Sequence, residues 1–487
     1  MSRTSRRRFL GTATAGGSLL LGSRGWTSPR PRSRPLGAAS ELRLAVVGLR
    51  SRGMALAGVF QRTPGARVVA FCDPDGRVLG ERAAEFERRH GVAPKTFRDL
   101  RRLLEDPEVD ALAVATPNHW HALATVWGCQ AGKDVYCEKP VSHNVWEGRQ
   151  AVAAAERYGR VVAAGTQSRS SEPVQRAIEM VRRGELGPLR VARGLCYKSR
   201  PSIGRVRGAQ AVPGHIDYDL WCGPAPLEPL RRRNLHYDWH WVWPTGNGDI
   251  GNQGIHQMDL ARQALGAGEL APETVSVGGR FGYRDDGETP NTQMAVFRYP
   301  QGLLIFEVRG LYENNGEVEK EGYRGVKIGN VLECEDGYAV LGVNDARILD
   351  RNGRLVHEFR GADHMARHVK NFVDACLARR PESLAAPILE GHLSSALCHF
   401  ANISHRTGRI SPPEEIRAAF RDRPFAAETL ERFEEHLLER GLRPGELEIV
   451  LGRPLRLVPG REEFDDPLPN LLLSRLYRPP FVVPALA

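Results

Sequence analysis

An almost wholly apolar run, Leu42–Gly48 (LRLAVVG), stops at a glycine, and Gly48-Leu49-Arg50-Ser51-Arg52-Gly53 leads straight into a helical stretch reaching about Arg62. Such a run fits a strand buried on both faces of a parallel sheet. Strand, glycine turn and helix in that order are the setting of the dinucleotide-binding fingerprint. Gly48 permits the tight turn, Gly53 permits close helix–strand packing, and the helix start at Arg50, Ser51 and Arg52 offers free N–H groups to a pyrophosphate. Arg50 stands where a second glycine is usual.

The following residues extend the pattern. A second apolar run, Arg67–Cys72, ends at Asp73, 20 residues after Gly53. An acid there suits the adenosine ribose hydroxyls and repels a 2′-phosphate, which favours NAD. Arg50, Arg52 and Arg77 are close enough to keep NADP open. Strand-like runs at Asp110–Thr116, Asp134–Cys137 and Arg160–Gly165 alternate with helical stretches at Asp75–His90, Phe97–Leu104, Asn118–Ala131 and Asn144–Tyr158. Alternation on this scale predicts an α/β, doubly wound parallel sheet over residues 41–166. Ligands bind at the carboxyl ends of such strands. Those ends carry Gly48, Asp73, Thr116-Pro117-Asn118, Glu138-Lys139-Pro140 and Gly165-Thr166-Gln167, with His121 on the helix beside them.

Residues 167–410 read differently. Leu189–Tyr197 and Val275–Gly310 alternate as strands, and Asn291–Tyr299 and Leu303–Gly310 flank a Pro300-Gln301-Gly302 turn. Further short strands are expected at 330–335, 338–343 and 346–350, and amphipathic helices at 364–377 and 389–403 that pack against the first domain. Glu358–Arg380 as a whole looks less sheet-like. Before the hairpin lies His236–Asp259 (HYDWHWVWPTGNGDIGNQGIHQMD), rich in aromatic and polar groups. Aromatic faces with hydrogen-bonding rims suit a sugar or polyol. The substrate set read here is Tyr197, Trp239, His240, Asn252 and Asp259. His256 opens a helix, whose N-terminal field disfavours imidazolium and keeps a neutral base available. Asp259 at i+3 is expected on its face. Lys139, at a strand end, has the charge to stabilise a developing alkoxide. Residues 411–487 hold a helical stretch, 427–440, in a Pro-rich extension expected to wrap the domains or cover an oligomer edge.

The turn at Gly48–Gly53, Thr116-Pro117-Asn118, Glu138-Lys139-Pro140 and Gly254-Ile255-His256-Gln257-Met258-Asp259 occur in order over most of residues 42–410. In this the chain resembles the Gfo/Idh/MocA oxidoreductases. The leader and the ending Tyr477-Arg478-Pro479-Pro480-Phe481 are similar to the exported bacterial branch. The resemblance implies a Rossmann domain plus an α+β domain with a large open, mostly antiparallel sheet, and a homo-oligomer. It implies Lys139 beside the nicotinamide and substrate, and His256 as general acid/base. Many members carry Asp four residues before that His. Asn252 stands here, and an amide exchanges no proton at neutral pH.

Charge and cysteine usage bound the partners. The chain has 68 basic and 58 acidic residues, but eight arginines lie in residues 1–40, leaving 60 against 58 elsewhere. That removes the case for nucleic acid. No stretch reaches the length of a membrane span. Ser5-Arg6-Arg7-Arg8-Phe9-Leu10, a small-residue run and a Pro/Arg/Ser-rich linker make residues 1–40 a twin-arginine signal, predicting periplasmic export by that machinery. Eight scattered cysteines without C-x-x-C read as buried free thiols. The pairs His119/His121, His236/His240 and His364/His368 lack metal-site context, so no metal is expected.

The resulting expectation is an exported NAD-dependent enzyme that moves a hydride between a tightly held cofactor and a sugar, sugar acid or polyol. A redox-neutral glycoside hydrolase working by transient oxidation, and a non-catalytic nucleotide-loaded carbohydrate-binding protein, are the alternatives.

Overall fold

The computed structural model describes residues 40–311 and 322–487. The twin-arginine motif and nearly all of the linker lie outside the described residues. Five buried runs form the heart of the first sheet: β1 (Leu42–Val47), β2 (Ala66–Cys72), β4 (Ala111–Val114), β5 (Asp134–Cys137) and β6 (Val162–Ala164). A sixth strand, β3 (Lys95–Phe97), completes the order β3-β2-β1-β4-β5-β6, with every pair parallel. β3 takes Phe97, the first residue of the expected 97–104 helix, which shortens to α3 (Leu100–Leu104). With three residues, two of them exposed, β3 has no apolar run to announce it.

Helices cover both faces: α1 (Ser51–Arg62), α2 (Gly76–His90), α4 (Asn118–Gln130) and α5 (Val145–Tyr158). Local chemistry sets their limits. The Asp75 carboxylate accepts from Arg77 N and Val78 N to start α2, and Gly91 ends it in a left-handed conformation. Asn144 caps α5 in the same way, by accepting from Glu147 N.

After α6 (Glu172–Arg182) the chain builds the second sheet: β7 (Leu189–Tyr197), then the short helices α7 (Tyr218–Cys222) and α8 (Leu235–Asp238), then α9 (Ile255–Leu265). The sheet continues with β8 (Glu273–Gly279), β9 (Thr292–Tyr299), β10 (Gly302–Arg309), β11 (Ile328–Cys334), β12 (Gly337–Leu341), β13 (Asp345–Asp350) and β14 (Leu355–Arg360). β10 pairs with β7 in parallel, and every other pair is antiparallel. β14 is an edge strand, exposed and charged, so the residues about Glu358 joined the sheet against expectation.

α10 (His364–Ala378) packs on the first domain, where Phe372 meets Phe60 and Tyr136 edge-on. α11 (Ile388–Arg406) lies between α5 of the first domain and α9 and β8 of the second. The C-terminal extension is part of the sheet domain. β15 (Arg409–Ile410), β16 (Val450–Leu451) and β17 (Leu455–Arg456) add to the β8 edge. Between β15 and β16, α12 (Pro413–Phe420) and α13 (Pro424–Glu439) bury Ile416, Phe420, Leu430 and Phe433 against Val277, Met294, Val296 and Ile305. The last residues return to the first domain, where Phe481 packs on Trp120 and Trp127. All eight cysteines are free thiols, seven of them buried. Among the described residues no helix is long and apolar enough to cross a membrane.

Candidate active site

A cleft of about 400 Å³ opens over the carboxyl ends of β1, β2, β4 and β5 and faces the second sheet. Its floor is the first glycine turn. Gly48 has φ +87°, and a Cβ there would sit 2.7 Å from the Ala115 carbonyl oxygen. A Cβ on Gly53 would run into the Gly48 carbonyl, so only glycine lets α1 approach the turn this closely. No side chain caps α1, whose first residues, Ser51 and Arg52, line the cleft with Arg50. The buried Thr116 hydroxyl on the same wall has no partner among the described residues. Uncapped N–H groups and an orphaned hydroxyl fit a dinucleotide, with the pyrophosphate at the helix start.

Asp73 lines the cleft at the end of β2 and is itself held. Leu49 N donates to one carboxylate oxygen at 2.9 Å and Asp75 N to the other at 3.0 Å. Burial raises its pKa, and the two backbone donors oppose the rise. A held carboxylate there is placed for ribose hydroxyls and against a 2′-phosphate.

At the other end of the cleft the two domains touch through Lys139. Its Nζ donates to the Asn252 carbonyl at 2.5 Å. That carbonyl belongs to a π-helical turn, Ile250–Gly254, immediately before α9, and such turns recur at functional sites. Behind Lys139, the buried Glu138 carboxylate accepts from Arg52 Nε at 2.7 Å. Arg52 also reaches Gln167 at 3.5 Å. Trp239 and His240 line the same end, with rings stacked 3.7 Å apart.

Comparison with known proteins agrees with this architecture. A model of the oxidoreductase family with an NAD-binding Rossmann fold, GFO_IDH_MocA, matches residues 42–166, and the model of its C-terminal alpha/beta domain matches residues 173–325, together more than half of the chain. The chain belongs to the Gfo/Idh/MocA oxidoreductase family.

Myo-inositol 2-dehydrogenase of Thermotoga maritima is 23% identical over 77% of this chain and 99% of its own length. Rabbit (Oryctolagus cuniculus) trans-1,2-dihydrobenzene-1,2-diol dehydrogenase is 34% identical over 32% of this chain. The chain spans under half the length of the first such curated relatives, 46% for the rabbit enzyme. The WlbA dehydrogenase of Bordetella pertussis, solved with NADH and UDP-GlcNAcA, shares the fold with a TM-score of 0.54 and 21% identity over 73% of this chain and 94% of its own. The cofactor of the Gfo/Idh/MocA chain described here is NAD, as its Rossmann-domain match and its uncapped cradle agree.

His256 stands at the start of α9, four residues after Asn252 and half-buried. Its buried Nδ1 has no partner among the described residues. Burial, then the nearby positive charges of Lys139 and Arg52, hold its pKa well below the usual 6.5. The ring is therefore neutral at pH 7, and it stands behind Asn252 and Gln253, which line the cleft where His256 itself does not. Burial also lowers the Lys139 pKa, against the pull of Glu138.

Other residues expected at the site frame the cleft. His121 bridges the Thr116 and Pro140 carbonyls at 2.8 and 2.5 Å, tying the turn after β4 to the one after β5. Asn118 donates to Asn247 at 3.0 Å, Pro117 precedes α4, and Gln167 holds Arg52. These position the cleft; of the four, only Pro117 lines it.

Tyr197 and Asp259, expected to touch substrate, do not line the cleft. The Tyr197 hydroxyl donates to Glu307 at 2.8 Å, and Arg432 reaches it at 3.1 Å from α13, on the outer face of the sheet. Successive residues at a strand end point to opposite faces, so Lys198 lines the cleft instead. Asp259 is buried between Arg169, which binds both carboxylate oxygens at 2.8 and 2.9 Å, and Ser394. A buried carboxylate needs such partners.

Lys198 and Arg200 entered the site unanticipated. Arg200 is fixed by a two-pronged ion pair with Asp249. Lys198 has no charged partner among the described residues. The strand alternation of β7 was the signal that could have found it. Among the described residues no cluster of three His, Cys, Asp or Glu side chains is placed to hold a metal ion.

Proposed function

We propose that this chain is an NAD-dependent dehydrogenase acting on a secondary alcohol of a sugar, sugar acid or polyol. The carrying observation is the Lys139–Asn252 contact. It places an ammonium where the nucleotide cleft meets the second domain, beside the helix that opens with a neutral imidazole. Bound NAD supplies hydride acceptance at its nicotinamide. Lys139 would hydrogen-bond the substrate oxygen and stabilise its alkoxide character, and His256 would take the hydroxyl proton. The stacked Trp239–His240 pair offers an apolar platform for the C–H face of a ring, and Lys198 and Arg200 offer donors to its rim or to a carboxylate. The names of the relatives, an inositol dehydrogenase and a dehydrogenase solved with a sugar-acid nucleotide, agree with that substrate class.

The test is single-turnover reduction of bound NAD by a panel of sugars, sugar acids, polyols and nitrophenyl glycosides. The proposal expects NADH absorbance with at least one free alcohol. Aglycone release without net NADH would mark the hydrolase, and binding without any reduction would mark a carbohydrate-binding protein. The reading includes periplasmic export by the twin-arginine leader and a homo-oligomer. Fractionation of cells carrying an Arg6→Lys/Arg7→Lys leader, and light scattering of the purified protein, test these two parts.

A further inference from the structure

Between β7 and α9 the second domain sends out a long excursion that crosses the first domain at the end of β2. Gly76 N donates to the His215 carbonyl at 2.8 Å and Asp217 N to the Pro74 carbonyl at 3.1 Å. The Arg98 guanidinium reaches both of those carbonyls, at 3.1 and 3.2 Å. Between them the Asp75 carboxylate is fully buried and accepts from two imidazoles of the excursion. His215 Nδ1 lies 2.9 Å from one oxygen and His236 Nε2 lies 2.9 Å from the other.

This docking point adjoins the adenosine end of the cleft. Asp73 is two residues away. The wall beyond it takes Leu100 and Trp120 from the first domain but Leu220, Trp221 and His236 from the excursion. A parallel sheet alone leaves that end open at the strand termini. Here Leu220, Trp221 and His236 wall that end from a segment of the second domain.

We infer that residues 213–238 form a clasp that retains the cofactor by closing the adenosine end of the cleft, with Asp75 as the positioning residue that latches it through His215 and His236. The inference rests on the NAD site and is independent of the sugar. Hydrogen bonds to an ionised carboxylate are among the stronger ones, and this carboxylate holds two from the same segment. Asp75 does not itself line the cleft. Its main-chain N–H holds Asp73, while its carboxylate reaches the cleft wall through the excursion, so only the side chain serves the latch.

The test is the rate at which the full chain, loaded with NADH, loses bound-nicotinamide fluorescence when chased with excess NAD, with no sugar present. His215→Ala/His236→Phe leaves the Asp75 cap of α2 intact and should release NADH at least tenfold faster than the unaltered chain, with a thermal midpoint within a few degrees of it. Asp75→Asn keeps an amide oxygen for the cap and should also release faster. His236→Gln, which preserves a donor, should recover most of the retention. Release within twofold of the unaltered rate in a folded double variant would overturn the clasp. Failure of the unaltered chain to bind NADH would overturn the nucleotide site as well, whereas failure to turn over any sugar would leave the clasp standing.

Discussion

Lys139 leaves the first domain at the end of β5 and donates its ammonium to the main-chain carbonyl of Asn252, 2.5 Å away on the π-helical turn that leads to His256. One hydrogen bond thus joins the nucleotide domain to the helix carrying the candidate base. A substrate oxygen entering the site would share this donor. Lys139→Ala should slow hydride transfer by roughly a hundred- to ten-thousand-fold, while NADH affinity, titrated by fluorescence, stays within a few-fold.

The pH profile follows from the same environment. Lys139 must be protonated to donate, and burial lowers its pKa from the usual 10.5. The rate should therefore begin to fall on the alkaline side before an ordinary lysine would titrate. His256 must be neutral to accept a proton, and burial with the adjacent positive charges sets its pKa well below 6.5. The acid limb should lie below that value. Single-turnover rates from acid to alkaline pH measure both limbs. An acid limb near neutrality would assign the base to another group.

Asn252→Asp places a carboxylate on the turn that already receives Lys139. A nearby negative charge favours the ammonium, so the alkaline limb should move to higher pH. The shift is read from the same profiles. An unmoved limb would mean that this side chain does not face the ammonium.

Gly53→Ala should fail at the level of packing. Its methyl group would collide with the Gly48 carbonyl, which is backbone and cannot swing aside. A loss of about 1–3 kcal/mol is expected for forcing atoms into so close a contact, with a parallel loss of NAD binding. Denaturant melts and NADH titration on one preparation would show both.

Tyr197 and Lys198 are neighbours in sequence on opposite faces of the sheet. Tyr197→Phe removes a buried hydroxyl bonded to Glu307 and should cost about 1 kcal/mol of stability while leaving substrate KM unchanged. Lys198→Ala should leave the melting point alone and raise KM several-fold for substrates bearing a carboxylate. KM and thermal midpoints of the two variants decide the assignment.

The first domain was legible because its signals are local. Buried parallel strands are short apolar runs, Gly48 and Gly53 answer to a turn and a close approach within a few residues, and Asp73 directly follows its strand. Strands without such signals stayed hidden. β3 is three residues long, and β14 is an exposed, charged edge. Asp259 was misplaced because helical spacing reports which residues share a face, not what that face meets. Its partners, Arg169 and Ser394, lie 90 and 135 residues away.

The amino-acid order alone thus determined the nucleotide-binding half and the residues at its strand ends, because each depends on a backbone requirement met within one strand, turn or helix. Lys139 and His256 became candidates for proton and oxygen chemistry once the family resemblance was added to their local setting. The tertiary structure decided what crosses the cleft: Lys139 on the Asn252 carbonyl, Lys198 facing inward while Tyr197 faces out, and His215 and His236 both on Asp75. Those relationships join residues 113, 140 and 161 positions apart. They exist only once two separately built sheets have been packed against each other, and no local periodicity encodes that step.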